Sequence, residues 1–201
     1  SKNKTPTMGG LFIIPIFFLI ISVTNIISFK IKLALLITIF GFFVTGFIDD
    51  YIGIKNQRNL GLKSKEKLML QTFFSSFFVI FVFNNNLLIS NLTFLNGLTI
   101  NFNFFIVPLS ILTIIALSNS VNLTDGLDGL AAGCSSIVFC GLGTEILINN
   151  ANDYLTFSLL SFCMSGLCLG FLKHNKYPAK IFMGDTGSLT IGAIIGVICV
   201  V

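Results

Sequence analysis

Seven long apolar runs, separated by short polar segments, account for most of the chain. The runs are Leu11–Phe29, Leu33–Ile48, Leu68–Phe83, Phe102–Leu117, Leu130–Ile148, Tyr154–Leu172 and Leu189–Val201. A helix of about 20 apolar residues crosses the hydrocarbon core of a bilayer. Only 10% of the residues are charged and 54% are hydrophobic, too little polar surface for a soluble domain of 201 residues. The pattern predicts an all-α, polytopic transmembrane helix bundle with six spans and a partial seventh, forming one domain over residues 1–201.

The basic residues lie almost entirely on one side of this predicted bundle. With a cytoplasmic N-terminus, residues 1–10, 49–67, 118–129 and 173–188 are cytoplasmic and hold 10 of the 12 Lys and Arg residues. Cytoplasmic loops carry such an excess of positive charge, so we expect a multi-pass protein of the inner (plasma) membrane in this orientation. The net charge of +4 follows from topology, and no nucleic-acid partner is expected. The external segment Asn84–Asn101 is predicted to form a loop or a short hairpin.

The same topology places five motif aspartates on the cytoplasmic face. They are Asp49, Asp50, Asp125, Asp128 and Asp185. Magnesium prefers oxygen ligands and is usually held by one or two carboxylates together with substrate phosphates. Lysines in the same segments add charges suited to phosphate groups. The pattern therefore predicts an enzyme that acts on phosphate-bearing substrates at the edge of the lipid.

Asp49 and Asp50 are adjacent at the end of an apolar run. Neighbouring side chains on a helix point about 100° apart, so we expect one to face a metal or phosphate and the other to orient a partner. At a helix C-terminus both charges would oppose the macrodipole unless a cation binds there. The alternative is an ordinary solvated helix end.

Two further polar segments, Asn119–Gly129 and His174–Ser188, carry the remaining motif aspartates. In the first, Asp128 has the alternative role of capping the helix that begins at Leu130. In the second, glycines flank Asp185 and a helix begins at Ser188, an arrangement suited to a metal-bound pyrophosphate at a helix N-terminus.

Five segments in order resemble one family of membrane transferases. The segments TPTMGG, FIDD, GLKSKEKLMLQ, NLTDGLDGLAAG and NKYPAKIFMGDTGSL are similar to those of the phospho-N-acetylmuramoyl-pentapeptide transferases. These form the MraY branch of the polyprenyl-phosphate N-acetylhexosamine-1-phosphate transferases. The resemblance implies transfer of phospho-MurNAc-pentapeptide from UDP-MurNAc-pentapeptide to undecaprenyl phosphate. The products are lipid I and UMP, and the reaction is Mg²⁺-dependent and cytoplasmic.

The resemblance also implies roles for individual residues. The implied catalytic residues are Asp49, Asp50, Lys65 and Asp185, with Asp185 as the Mg²⁺ ligand. The implied substrate-binding residues are Lys2, Thr7, Asn122, Leu123, Asp125, Asp128, Asn175, Phe182, Gly184 and Ser188. Membrane lipid is an implied partner, and the choice between a monomer and a homodimer stays open.

The chain departs from the family pattern in several places. Lys4 stands where the family usually has Gly, and Ser120 replaces a common Ala. The family's N-terminal helices, and its C-terminal helices with a His-rich loop, have no counterpart here. We therefore expect a fragment with negligible activity by itself. The alternatives are a WecA- or TagO-like sibling that transfers GlcNAc-1-phosphate, an ion-coupled transporter, and a non-catalytic remnant.

Overall fold

The computed structural model describes residues 5–24, 28–56, 61–88, 91–93, 99–149 and 155–201. Within these ranges the chain forms seven α-helices that follow the seven apolar runs in order. They are α1 (Gly10–Val23), α2 (Phe29–Lys55), α3 (Ser64–Asn84), α4 (Ile106–Thr124), α5 (Leu130–Asn149), α6 (Leu155–Asn175) and α7 (Gly184–Val200). The predicted all-α bundle of an integral membrane protein is confirmed.

Helix α7 forms the centre of the bundle. It packs against α1, α2, α4 and α5, and 14 of its 17 residues are buried. Its small residues allow close packing, because a Cβ at Gly192 would lie 2.3 Å from the carbonyl oxygen of Leu117 in α4. Helices α5 and α6 pack as a pair beside this centre.

The helices differ in whether they are long enough to cross a membrane. Five are long and apolar enough, namely α2, α3, α4 with the 3₁₀ turn Asn103–Phe105 before it, α5 and α6. Helix α1 has 14 residues and α7 has 17, so both are shorter. Among the described residues, five helices therefore meet the length requirement, compared with the predicted six spans and a partial seventh.

Helix α1 ends before the apolar run Leu11–Phe29 does. Thr24 leaves the helix in an extended conformation, and its hydroxyl donates a hydrogen bond to the Ile21 carbonyl at 2.7 Å. That carbonyl is one of the acceptors that a helix C-terminus leaves without an intrahelical partner. The apolar composition of the run does not by itself predict where α1 ends.

The segment between α3 and α4 contains a short hairpin, as predicted. Strand β1 (Asn91–Thr93) pairs antiparallel with β2 (Thr99–Asn101), with Asn91 opposite Asn101. At the opposite end of the bundle, the C-terminal parts of α2 and α4 meet the N-terminal turns of α3 and α7. Side-chain contacts among these four helices join Asp49 and Asp50 to Lys67, Asn122 and Asp185.

Candidate active site

The meeting point of α2, α3, α4 and α7 encloses a polar cavity of about 550 Å³. Its polar lining consists of Asp49, Ser64, Lys67, Gln71, Asn119, Asn122 and Asp185. Each helix contributes at least one of these groups. The cavity therefore collects charged and amide side chains from sequence segments that lie far apart.

Lys67 links two carboxylates inside the cavity. Its Nζ lies 3.0 Å from Asp49 Oδ1 and 2.6 Å from Asp185 Oδ2. The exposed fractions are 13% for the Asp49 side chain, 19% for Lys67 and 24% for Asp185, so all three are largely withdrawn from solvent. The backbone N–H of Leu62 also donates to Asp49 Oδ1 at 2.9 Å. Two carboxylates share one ammonium, which leaves net negative charge in the cavity.

Asp50 holds the start of α7 instead of lining the cavity. Its carboxylate accepts hydrogen bonds from the Asp185 N–H at 3.0 Å, the Thr186 N–H at 2.9 Å and the Thr186 hydroxyl at 2.6 Å. A carboxylate at a helix N-terminus satisfies free N–H groups and interacts favourably with the macrodipole. The two adjacent aspartates thus separate as expected, with Asp49 facing the cavity and Asp50 orienting a partner helix.

The expected position of the two aspartates at a helix C-terminus is wrong. Helix α2 continues past them to Lys55. Asp50 instead lies at the N-terminus of α7, where the helix dipole stabilises a negative charge.

Asp125 lies at the C-terminal end of α4 and near the other acidic residues. Burial raises the pKa of its carboxyl to about 7, and the charges of Asp185 and Asp50 act in the same direction. The Gly184 N–H donates a hydrogen bond to Asp125 and opposes that shift. Gly184 has a φ of +74°, and a Cβ there would lie 2.6 Å from Asp50 Oδ2. Glycine is therefore required where α7 begins.

Two of the predicted substrate-binding residues fix the orientation of Asp185. Asn122 Nδ2 donates to Asp185 Oδ1 at 2.7 Å and to Ser188 Oγ at 2.9 Å. The buried Ser188 hydroxyl in turn donates to the Gly184 carbonyl at 3.0 Å. With Lys67 on the other oxygen, both oxygens of the Asp185 carboxylate have a hydrogen-bond donor.

Two other predicted residues hold the loops beside the cavity in place through hydrogen bonds to backbone groups. Asp128 Oδ2 accepts from the Ala179 N–H at 3.0 Å. Asn175 accepts from the Gly129 N–H at 3.0 Å and donates to the Ile181 carbonyl at 2.9 Å, which joins the two loops. These contacts place Asp128 and Asn175 in the framework of the loops.

The remaining predicted residues either do not line the cavity or lie outside the described ranges. Leu123 is 82% exposed, and Thr7 is exposed as well. The backbone of Phe182 pairs with the N-terminal segment, since its N–H donates to the Pro6 carbonyl and its carbonyl accepts from Gly9, both at 2.8 Å. Lys2 lies outside the described residues.

The structure does not bring Lys65 into the cavity. Lys65 is exposed and lines a separate groove on the outer face of α3 with Leu68, Met69 and Phe73. Lys67 makes the carboxylate contacts instead. The sequence-based prediction missed Lys67, Gln71, Asn119 and Thr186. The four-residue spacing of Lys67 and Gln71 places both on one face of a helix, but it does not show that this face meets the bundle.

The donor set of the cavity fits a hard divalent cation. Its potential ligands are oxygens, from the carboxylates of Asp49 and Asp185, the amide of Asn122 and the hydroxyl of Ser64, while the amides of Gln71 and Asn119 are paired with each other. Among the residues that the structure describes, no three His, Cys, Asp or Glu side chains form a complete metal cluster. This combination suits Mg²⁺, which is commonly held by one or two carboxylates while substrate phosphates complete its shell.

Fold and site together define an integral-membrane helical protein with an acidic, oxygen-rich cavity at the ends of four helices. The chain belongs to the glycosyl transferase family 4, whose family model matches residues 32–201. Residues 2–14 match signature 1 of the phospho-N-acetylmuramoyl-pentapeptide-transferases. This membership confirms the predicted resemblance and favours a transferase over a transporter.

Proteins named phospho-N-acetylmuramoyl-pentapeptide-transferase are similar to almost the whole chain. One from Prochlorococcus marinus (strain MIT 9215) is 58% identical over 200 residues, which is 98% of this chain and 56% of the relative. One from Halalkalibacterium halodurans is 44% identical over 204 residues, which is 100% of this chain and 62% of the relative. The chain spans little more than half the length of these relatives.

Proposed function

We propose that the full-length protein transfers phospho-MurNAc-pentapeptide from UDP-MurNAc-pentapeptide to undecaprenyl phosphate, giving lipid I and UMP. The observation that carries this proposal is the bridge of Lys67 between Asp49 and Asp185 in the polar cavity. The similarity to relatives with the corresponding name supports the choice of substrates.

Phosphoryl transfer depends on alignment and charge stabilisation more than on covalent chemistry by the protein. Lys67 supplies a positive charge to the phosphoryl oxygens of the substrate, because its ammonium has a third N–H donor besides the two that contact Asp49 and Asp185. Asp49 lies in the same cavity and is the carboxylate placed to position the acceptor phosphate and take its proton. Asp50 acts through α7 and holds the backbone of Asp185 in place.

Asp185 would hold Mg²⁺, with the amide of Asn122 also lining the cavity. When bound there, the cation would neutralise charge on the donor diphosphate. Asn122 and Lys67 orient the Asp185 carboxylate through its two oxygens at 2.7 Å and 2.6 Å.

The site lies on the cytoplasmic side of the plasma membrane in this proposal. Lysines concentrate in the segments 61–67 and 173–180, on the same side as the cavity, as expected for cytoplasmic loops. Phe73 is among the large apolar side chains exposed on the bundle, and the polyprenyl tail lies along such lipid-facing surface. The phosphate of the acceptor lipid then lies at the membrane–water interface, at the same depth as the carboxylates of the cavity.

The test is a comparison of two donors with the full-length protein in detergent. UMP release is measured with Mg²⁺ and undecaprenyl phosphate from UDP-MurNAc-pentapeptide and, separately, from UDP-GlcNAc. Release from the muramoyl donor alone supports the proposal. Release from UDP-GlcNAc alone assigns the protein to the sibling transferases, and release from neither donor contradicts both assignments.

A further inference from the structure

A reciprocal pair of amide side chains lies one helical turn below the carboxylates of the cavity. Asn119 Nδ2 donates to Gln71 Oε1 at 2.8 Å, and Gln71 Nε2 donates to Asn119 Oδ1 at 3.4 Å. Gln71 is 1% exposed although it belongs to a span. Asn119 Nδ2 also donates to the Ile115 carbonyl at 2.8 Å, which fixes its rotamer. The pair joins α3 to α4.

The position of this pair relates it directly to Asp185. Lys67 precedes Gln71 by four residues in α3, and Asn122 follows Asn119 by three residues in α4. The helices run in opposite directions here, so both steps lead one turn towards the carboxylates. There Lys67 donates to one oxygen of Asp185 and Asn122 donates to the other, at 2.6 Å and 2.7 Å.

We propose that Gln71 and Asn119 are positioning residues that fix the register of α3 against α4, so that Lys67 and Asn122 hold Asp185 in one orientation. Helices in lipid associate through van der Waals packing and interhelical hydrogen bonds, and a hydrogen bond between two side chains specifies the distance and register of their helices. Buried polar side chains in spans are also costly unless they are paired. The inference deepens the proposed function and rests on it for the meaning of the Asp185 orientation.

The matched control is a second buried hydrogen-bonded pair far from the cavity. Ser136 in α5 and Ser165 in α6 exchange hydrogen bonds across that helix pair, and the Ser136 hydroxyl donates to the Ser165 carbonyl at 3.2 Å and lies 3.1 Å from the Ser165 hydroxyl. Loss of this pair weakens helix packing without reaching α3 or α4. Ser136→Ala is therefore the control for the loss of a buried hydrogen bond that does not contact the cavity.

The experiment uses Gln71→Met, Asn119→Leu, the double variant and the exchange Gln71→Asn with Asn119→Gln in the full-length protein. Two properties are measured: UMP release as kcat and KM, and Mn²⁺ affinity by electron paramagnetic resonance. We expect each single substitution to lower kcat by about 10-fold or more, with donor KM nearly unchanged, because small displacements at a reacting centre are costly. Mn²⁺ affinity falls by about 10-fold, the usual effect of losing a residue that orients a metal ligand.

Coupling between the two residues gives two further expectations. The double variant loses no more than either single variant, because both substitutions remove the same contact. The exchanged pair recovers most of the lost rate and affinity. The proposal is overturned if the amide variants lower thermal stability but, like Ser136→Ala, keep kcat and Mn²⁺ affinity close to the unsubstituted protein. If no donor is turned over at all, the proposed function fails, and the Mn²⁺ affinities still decide whether the pair positions the site.

Discussion

Lys67 and Asp185 are 118 residues apart in the sequence, yet Lys67 Nζ donates to Asp185 Oδ2 at 2.6 Å. The contact joins the first turn of α3 to the first turn of α7, and Asp49 of α2 shares the same ammonium. Three helices therefore converge on one ion-pair network at the edge of the membrane. Removing the lysine would leave two partly buried carboxylates facing each other without their cation.

The hydroxyl of Thr186 is expected to stabilise the start of α7. Thr186→Val removes the bond to Asp50, and we expect the free energy of unfolding to fall by about 1.5–3 kcal/mol, as for hydrogen bonds to charged groups. Thr190→Val is the matched control, because the equally buried Thr190 hydroxyl donates to the Thr186 carbonyl within its own helix. The measurement is denaturant unfolding of the full-length protein in detergent. Equal losses in the two variants would contradict the role given to Asp50.

The contact between α2 and α7 requires glycine at position 46. A Cβ there would lie 2.3 Å from the Asp185 carbonyl oxygen, so Gly46→Ala displaces the start of α7. We expect a loss of about 1–3 kcal/mol in stability, typical of overpacking, together with loss of UMP release. Gly166→Ala is the control, since nothing lies within 4 Å of a Cβ at that position. Tolerance of Gly46→Ala in both assays would show that the close packing is not needed.

Asp125 is expected to make stability depend on pH. The pKa of its carboxyl is about 7 in the folded protein and ordinarily 3.8, so between these values the folded state holds the extra proton. Stability therefore falls as pH rises through this window and then levels off above it. Asp125→Asn keeps a neutral group of similar shape and should reduce the decrease in thermal stability between pH 5 and pH 8. An unchanged pH dependence in the variant would refute the assignment to Asp125.

Cation binding is expected to depend on Asp185 and not on Asp128. Both are motif aspartates, but Asp185 lines the cavity and Asp128 accepts a hydrogen bond from the Ala179 backbone. Asp185→Asn should lower Mn²⁺ affinity by at least about 10-fold, as loss of a residue in a metal's surroundings commonly does. Asp128→Asn should bind Mn²⁺ much as the unsubstituted protein does. A larger loss in Asp128→Asn would move the cation site to the loops.

The sequence predicted the order of the helices and the side of the bundle on which Asp49 and Asp185 lie. Apolar length predicts α2 to α6 well, because a span needs a minimum number of apolar residues. The number of spans between Asp49 and Asp185 places both on the same side of the membrane. The structure joins them there through Lys67. These features follow from local composition and from counting spans.

The identity of the lysine in the cavity needed the structure. Lys65 and Lys67 are two residues apart, which rotates their side chains by about 200° around a helix. Which of them faces the bundle depends on where α3 begins and how it packs, and sequence periodicity is weak at this interfacial turn. The capping of α7 by Asp50 was equally inaccessible, because the two partners are 135 residues apart. Long-range side-chain contacts of this kind leave no local pattern.

The most direct measurement compares Lys67→Met with Lys65→Met in the full-length protein. UMP release from UDP-MurNAc-pentapeptide is followed with Mg²⁺ and undecaprenyl phosphate. We expect Lys67→Met to lower kcat by about 10²–10³, the usual effect of losing a group that stabilises transition-state charge. Lys65→Met changes an exposed residue and should stay within about 2-fold. A large loss in Lys65→Met with little effect of Lys67→Met would contradict the site described for this protein.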